Sequence, residues 1–343
     1  MAIRNDDWLR AGRRLASWRR PLLLSHVRPD GDAIGALLAL GRICRGFGAD
    51  PIPVVYEEPP AKYRALIGAD GLVRWSDAVR AGEADGILVL DTCSWQQLEP
   101  ASAFLSGSAL PRIIVDHHKT RDVIDGGAPA ASAPCEYLID ESAAACCLLV
   151  HEWARAMSWP VGADEAAPIF VGIATDTGWF RFSNTDARTM AAAGELIACG
   201  VRPDRWYTAI YETATAARLR LEAAMLSRIE ISEDGRCVWS VLTGEMFAAT
   251  GAVRSDTEDL IQVLQRLDGV AVSVLFTEEP DGRIRVSLRS KAPDVCGRDV
   301  DVSAVAAAFG GGGHARAAGL RLPGPLAEAQ RQVLAAVRKA LKR

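Results

Sequence analysis

The sequence predicts an α/β protein: an N-terminal domain built on a parallel sheet, joined by connecting helices to a smaller mixed-sheet α/β C-terminal domain. Three observations carry this reading. In the first half, short runs rich in Val, Ile and Leu alternate with amphipathic stretches, the pattern of strands joined by crossover helices. The middle of the chain turns Ala- and Arg-rich and loses its strand signal. The last third shows period-two alternation punctuated by the turn Glu279-Pro280-Asp281-Gly282, as in a smaller mixed sheet.

In chain order, the expected strands of the first half are Pro21 to Ser25, Pro51 to Tyr56, Gly86 to Asp91, Arg112 to Asp116 and Ile169 to Thr175. Such unbroken apolar runs suit strands buried on both faces. Between them Ile34, Leu37, Leu38 and Gly41 recur at helical spacing and stop at Gly46 and Gly48, and Ser142 to Met157 forms a second helix. Thr185 to Gly200 and Asp204 to about Ser227 read as two connecting helices. The expected division is 1–190, a helical linker over 191–225, and 226–343. In the last part Val238 to Leu242, Val270 to Phe276 and Arg283 to Arg289 alternate as strands, and helices are expected over Thr257 to Leu267, Val302 to Phe309 and Leu326 to Leu341.

At 343 residues the chain is long enough for two ordinary cores, which rules out a small stapled scaffold. No segment approaches the roughly 20 apolar residues of a membrane span, so a soluble protein with no membrane partner is expected. A net charge of −4 argues against a protein that coats long nucleic acid by neutralising phosphates, but leaves short anionic ligands open. The eight cysteines include no C-x-x-C, so they read as reduced thiols, mostly in the core, of a cytoplasmic protein. The apolar run Leu22 to Leu24 is too short for an export signal.

Four segments concentrate the chemistry. The first, Ser25-His26-Val27-Arg28-Pro29-Asp30-Gly31-Asp32, runs out of a strand and brings one imidazole and two carboxylates to the end of a sheet, where α/β proteins place their sites. Asp91 ends the run Ile87 to Leu90, and Asp116-His117-His118 ends the run Ile113 to Val115. Adjacent side chains on extended backbone point opposite ways, so one imidazole of that pair can bind metal while the other faces substrate. The fourth, Gly172 to Gly178, reads as another strand ending in an acid, Asp176. Taken singly, each is also what a solvated, helix-capping loop looks like. Taken together they are too many for coincidence, because four of the five histidines (26, 117, 118 and 314) fall in such loops. About four Asp with two His is the ligand set of Mn2+ or a related octahedral ion, and too carboxylate-rich for structural zinc. Two cations sharing one carboxylate would activate water for displacement at phosphorus, so phosphoester hydrolysis is expected.

With these motifs in place, the chain resembles the DHH phosphoesterase superfamily, named for the triplet that stands here as Asp116-His117-His118. More narrowly it resembles the bacterial nanoRNase/pAp phosphatase group, in which a DHH domain precedes a DHH-associated domain ending in a glycine-rich loop. The resemblance spans essentially the whole chain. It implies that His26, Asp30 and Asp91 hold one metal, and that Asp32, Asp91, His117 and Asp176 hold the second, with Asp91 bridging. It further implies catalytic roles for Asp91, for His118 beside the scissile phosphate and for Asp116 as the group that orients the motif. The cofactor implied is two Mn2+, with Mg2+ or Co2+ as substitutes. The implied substrates are very short oligoribonucleotides and the 3'-phosphate of pAp, and the resemblance also allows a homodimer.

The last signal is Gly310-Gly311-Gly312-Gly313-His314, lying between a helix-like stretch and an apolar strand. Consecutive glycines let backbone amides approach an anion closely. It resembles the superfamily's substrate-binding loop, which places Gly311, Gly312, Gly313 and His314 on a phosphate, with Arg289 and Ser290 as further substrate contacts and the substrate in a cleft between the domains. His151, inside a helical run beside Glu152, reads as a packed histidine, and the basic stretches at both ends read as solvated helix faces. Rivals within the superfamily are a cyclic- or linear-dinucleotide phosphodiesterase and a RecJ-type exonuclease, and from another class a nucleotide-binding regulator.

Overall fold

The computed structural model describes residues 3–69, 71–75, 83–119, 121–124 and 134–342. The chain divides into two compact units, Met1–Thr213 and Ala214–Arg343.

The first unit contains α1 (Asn5–Ser17), β1 (Pro21–Leu24), α2 (Gly31–Gly46), β2 (Ile52–Val55), α3 (Arg64–Ile67), β3 (Val73–Arg74), β4 (Gly86–Leu90), α4 (Ser102–Gly107), β5 (Arg112–Asp116), β6 (Cys135–Ile139), α5 (Cys146–Met157), α6 (Ala163–Asp176), α7 (Ala187–Ala198) and α8 (Pro203–Tyr211). Its six strands are all parallel, in the order β3-β2-β1-β4-β5-β6. The central strands are buried on both faces because alternate side chains feed two cores. Leu23, Leu88, Leu90, Ile113 and Val115 join the core formed with α1, α2, α5 and α6, while Leu22, Leu24, Ile87, Val89 and Ile114 pack with Leu98 and Leu105 on the other side. From β1 the chain moves outward to β2 and β3, then returns to place β4 on the other flank of β1. The carboxyl ends of β1 and β4 therefore flank a reversal of strand order, where an open parallel sheet leaves a crevice for a ligand.

Ile169 to Thr175 is the interior of helix α6 and not a strand. A helix buried all round shows the same unbroken apolar run as a buried strand, so periodicity does not separate them. Every residue from Ala166 to Ala174 is buried, and the helix begins at Ala163, too early for a strand of ordinary length. Its packing on α2 is close enough to need glycine. A Cβ on Gly35 would run into the Pro168 carbonyl oxygen, and one on Gly172 would collide with Cys147 Sγ and sit 2.9 Å from Asp32 Oδ1. Gly172→Ala is therefore expected to lower stability by about 1–3 kcal/mol, the cost of overpacking a close crossing. Denaturant titration measures this, and an unchanged midpoint would show that the crossing has room to spare.

Helix α5 starts at Cys146 and not at Ser142, which frees residues 142–145 as a loop. Sequence reading also missed the edge strand β6, while α1 is the N-terminal helix whose basic face it expected. Part of the basic N-terminal face is committed to ion pairs, since Arg10 and Arg14 both meet Glu136 of β6, at 2.9 and 2.5 Å. His151 is buried with Nε2 2.9 Å from Glu195 Oε2, a packed histidine as expected.

The second unit contains α9 (Ala216–Leu226), β7 (Glu230–Ile231), β8 (Cys237–Leu242), α10 (Gly244–Thr250), α11 (Leu260–Leu264), β9 (Val272–Glu278), β10 (Arg283–Ser290), α12 (Pro293–Cys296), α13 (Val302–Ala307), β11 (Gly312–His314), β12 (Ala317–Pro323) and α14 (Leu326–Leu341). Its six strands run β11-β12-β10-β9-β8-β7, with β8 and β9 parallel and the other pairs antiparallel, which makes the sheet mixed. Ile284, Val286 and Leu288 face the core as the alternation predicts. The stretch expected as one helix from Asp204 to Ser227 is two: α8 ends at Tyr211, and Thr215 caps the start of α9 by accepting from Arg218 N. No helix among the described residues is long and apolar enough to cross a membrane.

Candidate metal centre

Three parallel strands, β1, β4 and β5, deliver His26, Asp91 and Asp116-His117-His118 to one edge of the sheet. Asp30 caps α2, with Oδ1 accepting from the amides of Asp32 and Ala33 at 3.0 and 3.1 Å. The capping role and a ligand role coexist, because a carboxylate has lone pairs for both. Asp32 lies in the first turn of α2, fully buried, and its two oxygens accept from Cys146 N and Cys147 N at 2.6 and 2.8 Å. The N-terminus of α5 thus holds Asp32 in place with the positive end of its dipole. Asp176, expected at a strand end, is instead the last residue of α6. A helix C-terminus disfavours an anion and favours a cation nearby.

Asp91 is the hub. It is buried, directly follows β4 and adopts φ +60°, a left-handed conformation that Asp tolerates better than most residues. Its Oδ2 lies 3.3 Å from His26 Nε2, and its Oδ1 lies 3.3 Å from His117 Nε2. His117 Nε2 is also 3.8 Å from Asp32 Oδ2 and 3.7 Å from Asp176 Oδ2, and His26 Nε2 is 3.9 Å from Asp30 Oδ1. Two ligand groups result, His26/Asp30/Asp91 and Asp32/His117/Asp176, each with its donor atoms within 4.8 Å of one another. A third grouping, Asp91/His117/His118, ties them together.

The imidazole tautomers follow from their other nitrogens. His26 Nδ1 is 2.9 Å from the Val27 carbonyl and His117 Nδ1 is 3.2 Å from the Ala143 carbonyl. A carbonyl only accepts, so each Nδ1 carries the hydrogen and each Nε2 turns toward the carboxylates. A lone pair facing a carboxylate oxygen at this distance is repulsive unless a proton or a cation stands between them. Burial would lower the pKa of both rings, but Asp91 and the neighbouring acids outweigh it, raising His26 to about 9 and His117 to about 10. Burial pushes Asp176 up to about 7 and Asp32 well above the carboxylate range, reinforced by the charge of Asp91. Burial acts the same way on Asp91, yet the two imidazoles hold it below its ordinary range. Among the described residues, none donates a hydrogen bond to buried Asp91 Oδ1. Crowded acids, inward-facing Nε2 atoms and an unbonded carboxylate oxygen are what divalent cations would satisfy, so this donor set fits metal.

Behind the centre, buried Asp116 accepts from His117 N, His118 N and His118 Nδ1 at 2.8, 3.2 and 2.8 Å. His118 is thus held through Nδ1 while half of its side chain stays exposed. Some positioning groups escaped the sequence reading because backbone atoms have no residue signature: the Ala143 carbonyl and the amides of Cys146 and Cys147. The loop carrying Ala143 is braced by Asp140, which binds Ser142 and pairs with Arg188 at 2.8 Å. The Asp140-x-Ser142 spacing, an Asx-type turn, was the available signal.

The six expected ligands, His26, Asp30, Asp32, Asp91, His117 and Asp176, are brought together, with His118 and Asp116 beside them. The expected substrate residues belong to the second unit. Arg289 is half-buried, its guanidinium donating to Leu288 O at 3.0 Å. Ser290 is buried and its hydroxyl donates to Val300 O at 2.7 Å, a bond that serves the fold. The glycine run is partly an edge strand: Gly312, Gly313 and His314 pair with Gly319, Ala318 and Ala317 of β12. Gly311 and Gly313 pack so closely on β12 that a Cβ would strike the Gly319 and Ala317 carbonyls. Such an edge leaves backbone groups unpaired along its outer side.

Residues 22–173 match the DHH family N-terminal domain and residues 243–343 match the DHHA1 domain. The bifunctional oligoribonuclease and PAP phosphatase NrnA of Thermus thermophilus is 31% identical over 94% of this chain and 90% of its own length. The protein of the same name from Bacillus subtilis is 28% identical over 87% of this chain and 88% of its own. The crystal structure of an exopolyphosphatase-related protein from Bacteroides fragilis has the same fold, with a TM-score of 0.88, 24% identity and 99% of both chains covered. With both domains matched in order and the DHH triplet placed against the clustered acids, this chain belongs to the DHH family of phosphoesterases.

Proposed function

We propose that this chain hydrolyses very short oligoribonucleotides to mononucleotides and removes the 3'-phosphate of pAp, with two Mn2+ ions shared through Asp91. The observation that carries this reading is the pair of ligand groups meeting at one buried carboxylate. The choice of substrate is supported by relatives named for oligoribonuclease and PAP phosphatase activity across nearly the full chain. Mn2+ fits the mixed carboxylate and imidazole donors better than Mg2+, which prefers oxygen alone.

Divalent cations held by these residues would supply Lewis acidity toward a water and toward the phosphoryl oxygens. The chain's own part is to bind and orient. Asp32, His117 and Asp176 form one ligand side, and His26 and Asp30 the other. Asp116 keeps His118 Nδ1 hydrogen-bonded and raises its proton affinity, so His118 Nε2 can hold a proton for the leaving oxygen. In the second unit, His314 and Arg289 take a terminal phosphate of the substrate, with the amides of Gly312 and Gly313 beside them, whereas the Gly311 amide is committed to the Ala306 carbonyl at 2.9 Å.

Turnover of a labelled RNA size ladder, with pAp and a cyclic dinucleotide in parallel, tests the reading. Fast release of mononucleotides from dimers and of phosphate from pAp is expected. A preference for the cyclic dinucleotide would instead assign a phosphodiesterase of that class. His314→Ala is expected to raise KM or lower kcat/KM with metal content unchanged, because the residue meets a phosphate and not an ion. Metal analysis of the purified variant checks this, and a loss of bound metal would move His314 into the ligand set.

A further inference from the structure

We infer that Phe182 is a stacking platform for a nucleobase of the substrate, a contact supplied by the first unit beside its own metal centre. The inference rests on the phosphoester-hydrolysis reading above and adds a base subsite to it.

Residues 177–184 form a loop that leaves Asp176 and returns to it. Thr177 follows Asp176 directly, and Asn184 Nδ2 donates back to the Asp176 carbonyl at 3.2 Å and to the Ala144 carbonyl at 3.1 Å. Whatever the loop exposes therefore stays close to a metal ligand and to the loop that orients His117. Within it Gly178, Trp179 and Phe180 adopt φ +57°, +60° and +63° in succession. Left-handed backbone is costly for bulky residues and persists where surrounding structure enforces it, often at ligand clamps.

The strained turn sorts three aromatic rings. Trp179 and Phe180 both pack on Phe170 of α6, at centroid distances of 6.0 and 5.7 Å, and Trp179 also meets Tyr207 and Tyr211. Phe182 goes elsewhere. Its amide donates to Thr177 O at 3.0 Å, and its ring lies on Gly178, where a Cβ would stand 2.6 Å from Cε2. The ring is 51% exposed. The Arg181 guanidinium lies 5.9 Å from its centroid, and Arg181 Nε is fixed by donating to Gly178 O at 2.7 Å. A flat apolar ring backed by a glycine, with a guanidinium over it at 5.9 Å and a loop tied at both ends to Asp176, matches an anionic nucleotide. The cation serves the phosphates, and the ring serves a base one nucleotide from the scissile bond. Stacking is indifferent to base identity because every base has a π-face, which suits an enzyme that takes mixed short RNA.

The test compares the wild type, Phe182→Ala and Phe182→Trp on diadenylate and on an abasic dinucleotide of the same backbone, in Mn2+. Phe182→Ala is expected to raise KM for diadenylate by about 10- to 100-fold, the scale of losing one stacked base. The abasic substrate should be unaffected, metal content should hold, and Phe182→Trp should restore KM. A non-hydrolysable dinucleotide carrying 2-aminopurine should be quenched on binding to the wild type and not to Phe182→Ala. Equal losses on both substrates, or an unchanged KM for diadenylate, would overturn the inference. If the wild type binds and quenches the probe but does not turn over diadenylate, the assigned substrate falls and the stacking platform stands.

Discussion

Asp91→Asn is expected to strip both cations and abolish turnover while the chain stays folded. The loss should far exceed the roughly 10- to 100-fold that follows from altering a group behind a metal ligand. Both ligand groups reach across to this one carboxylate, His26 from one side and His117 from the other at 3.3 Å each. Asparagine is the informative replacement because it preserves shape and tolerates the φ of +60° at this position, whereas alanine there would add a backbone penalty of about 1 kcal/mol. Metal analysis, turnover and circular dichroism on the same preparation check the outcome. Near-normal activity, or one cation retained with half the rate, would refute a centre shared through Asp91.

Turnover should fall steeply once the substrate exceeds roughly five nucleotides, the largest effect expected from any change of substrate. An enzyme that tracks long single strands uses a basic groove with successive stacking aromatics, gaining affinity with each nucleotide. This chain has a net charge of −4 and 6% aromatic residues, and most of its tryptophans join the cores of the first unit. Without such a groove, added length contributes disorder without contacts. Measuring kcat/KM for RNA of two, three, five, ten and twenty nucleotides at fixed Mn2+ and salt tests this. A flat or rising profile would assign a processive exonuclease of the RecJ type.

The candidate ligands that cluster in the fold were legible because each is a side chain whose chemistry is written in one letter and whose place follows from the run before it. His26, Asp91 and Asp116-His117-His118 all follow apolar runs short enough to be strands, and those runs became β1, β4 and β5. Asp176 was found for the wrong structural reason. Its run is buried without a break from Ile169 to Ala174, and such burial erases the periodicity that tells helix from strand. The edge strand β6 was missed because Glu136 interrupts its apolar run and its outer position leaves one face only partly covered, with Tyr137 39% exposed.

By itself, the sequence determined the family, the α/β class and the residues that carry charge and imidazole to the centre, because composition and short-range spacing encode them. Tertiary structure alone decided how those residues act. The order β3-β2-β1-β4-β5-β6 makes β1 and β4 neighbours although some sixty residues separate His26 from Asp91 in the chain. The crossing of α2 and α6 at Gly35 and Gly172 brings the Asp32 and Asp176 ends together. Backbone groups of Val27, Ala143, Cys146 and Cys147 then set the tautomers of the imidazoles and the orientation of Asp32. Every residue carries an N–H or a C=O of this kind, so no letter marks the few that matter, and only the folded path of the chain selects them.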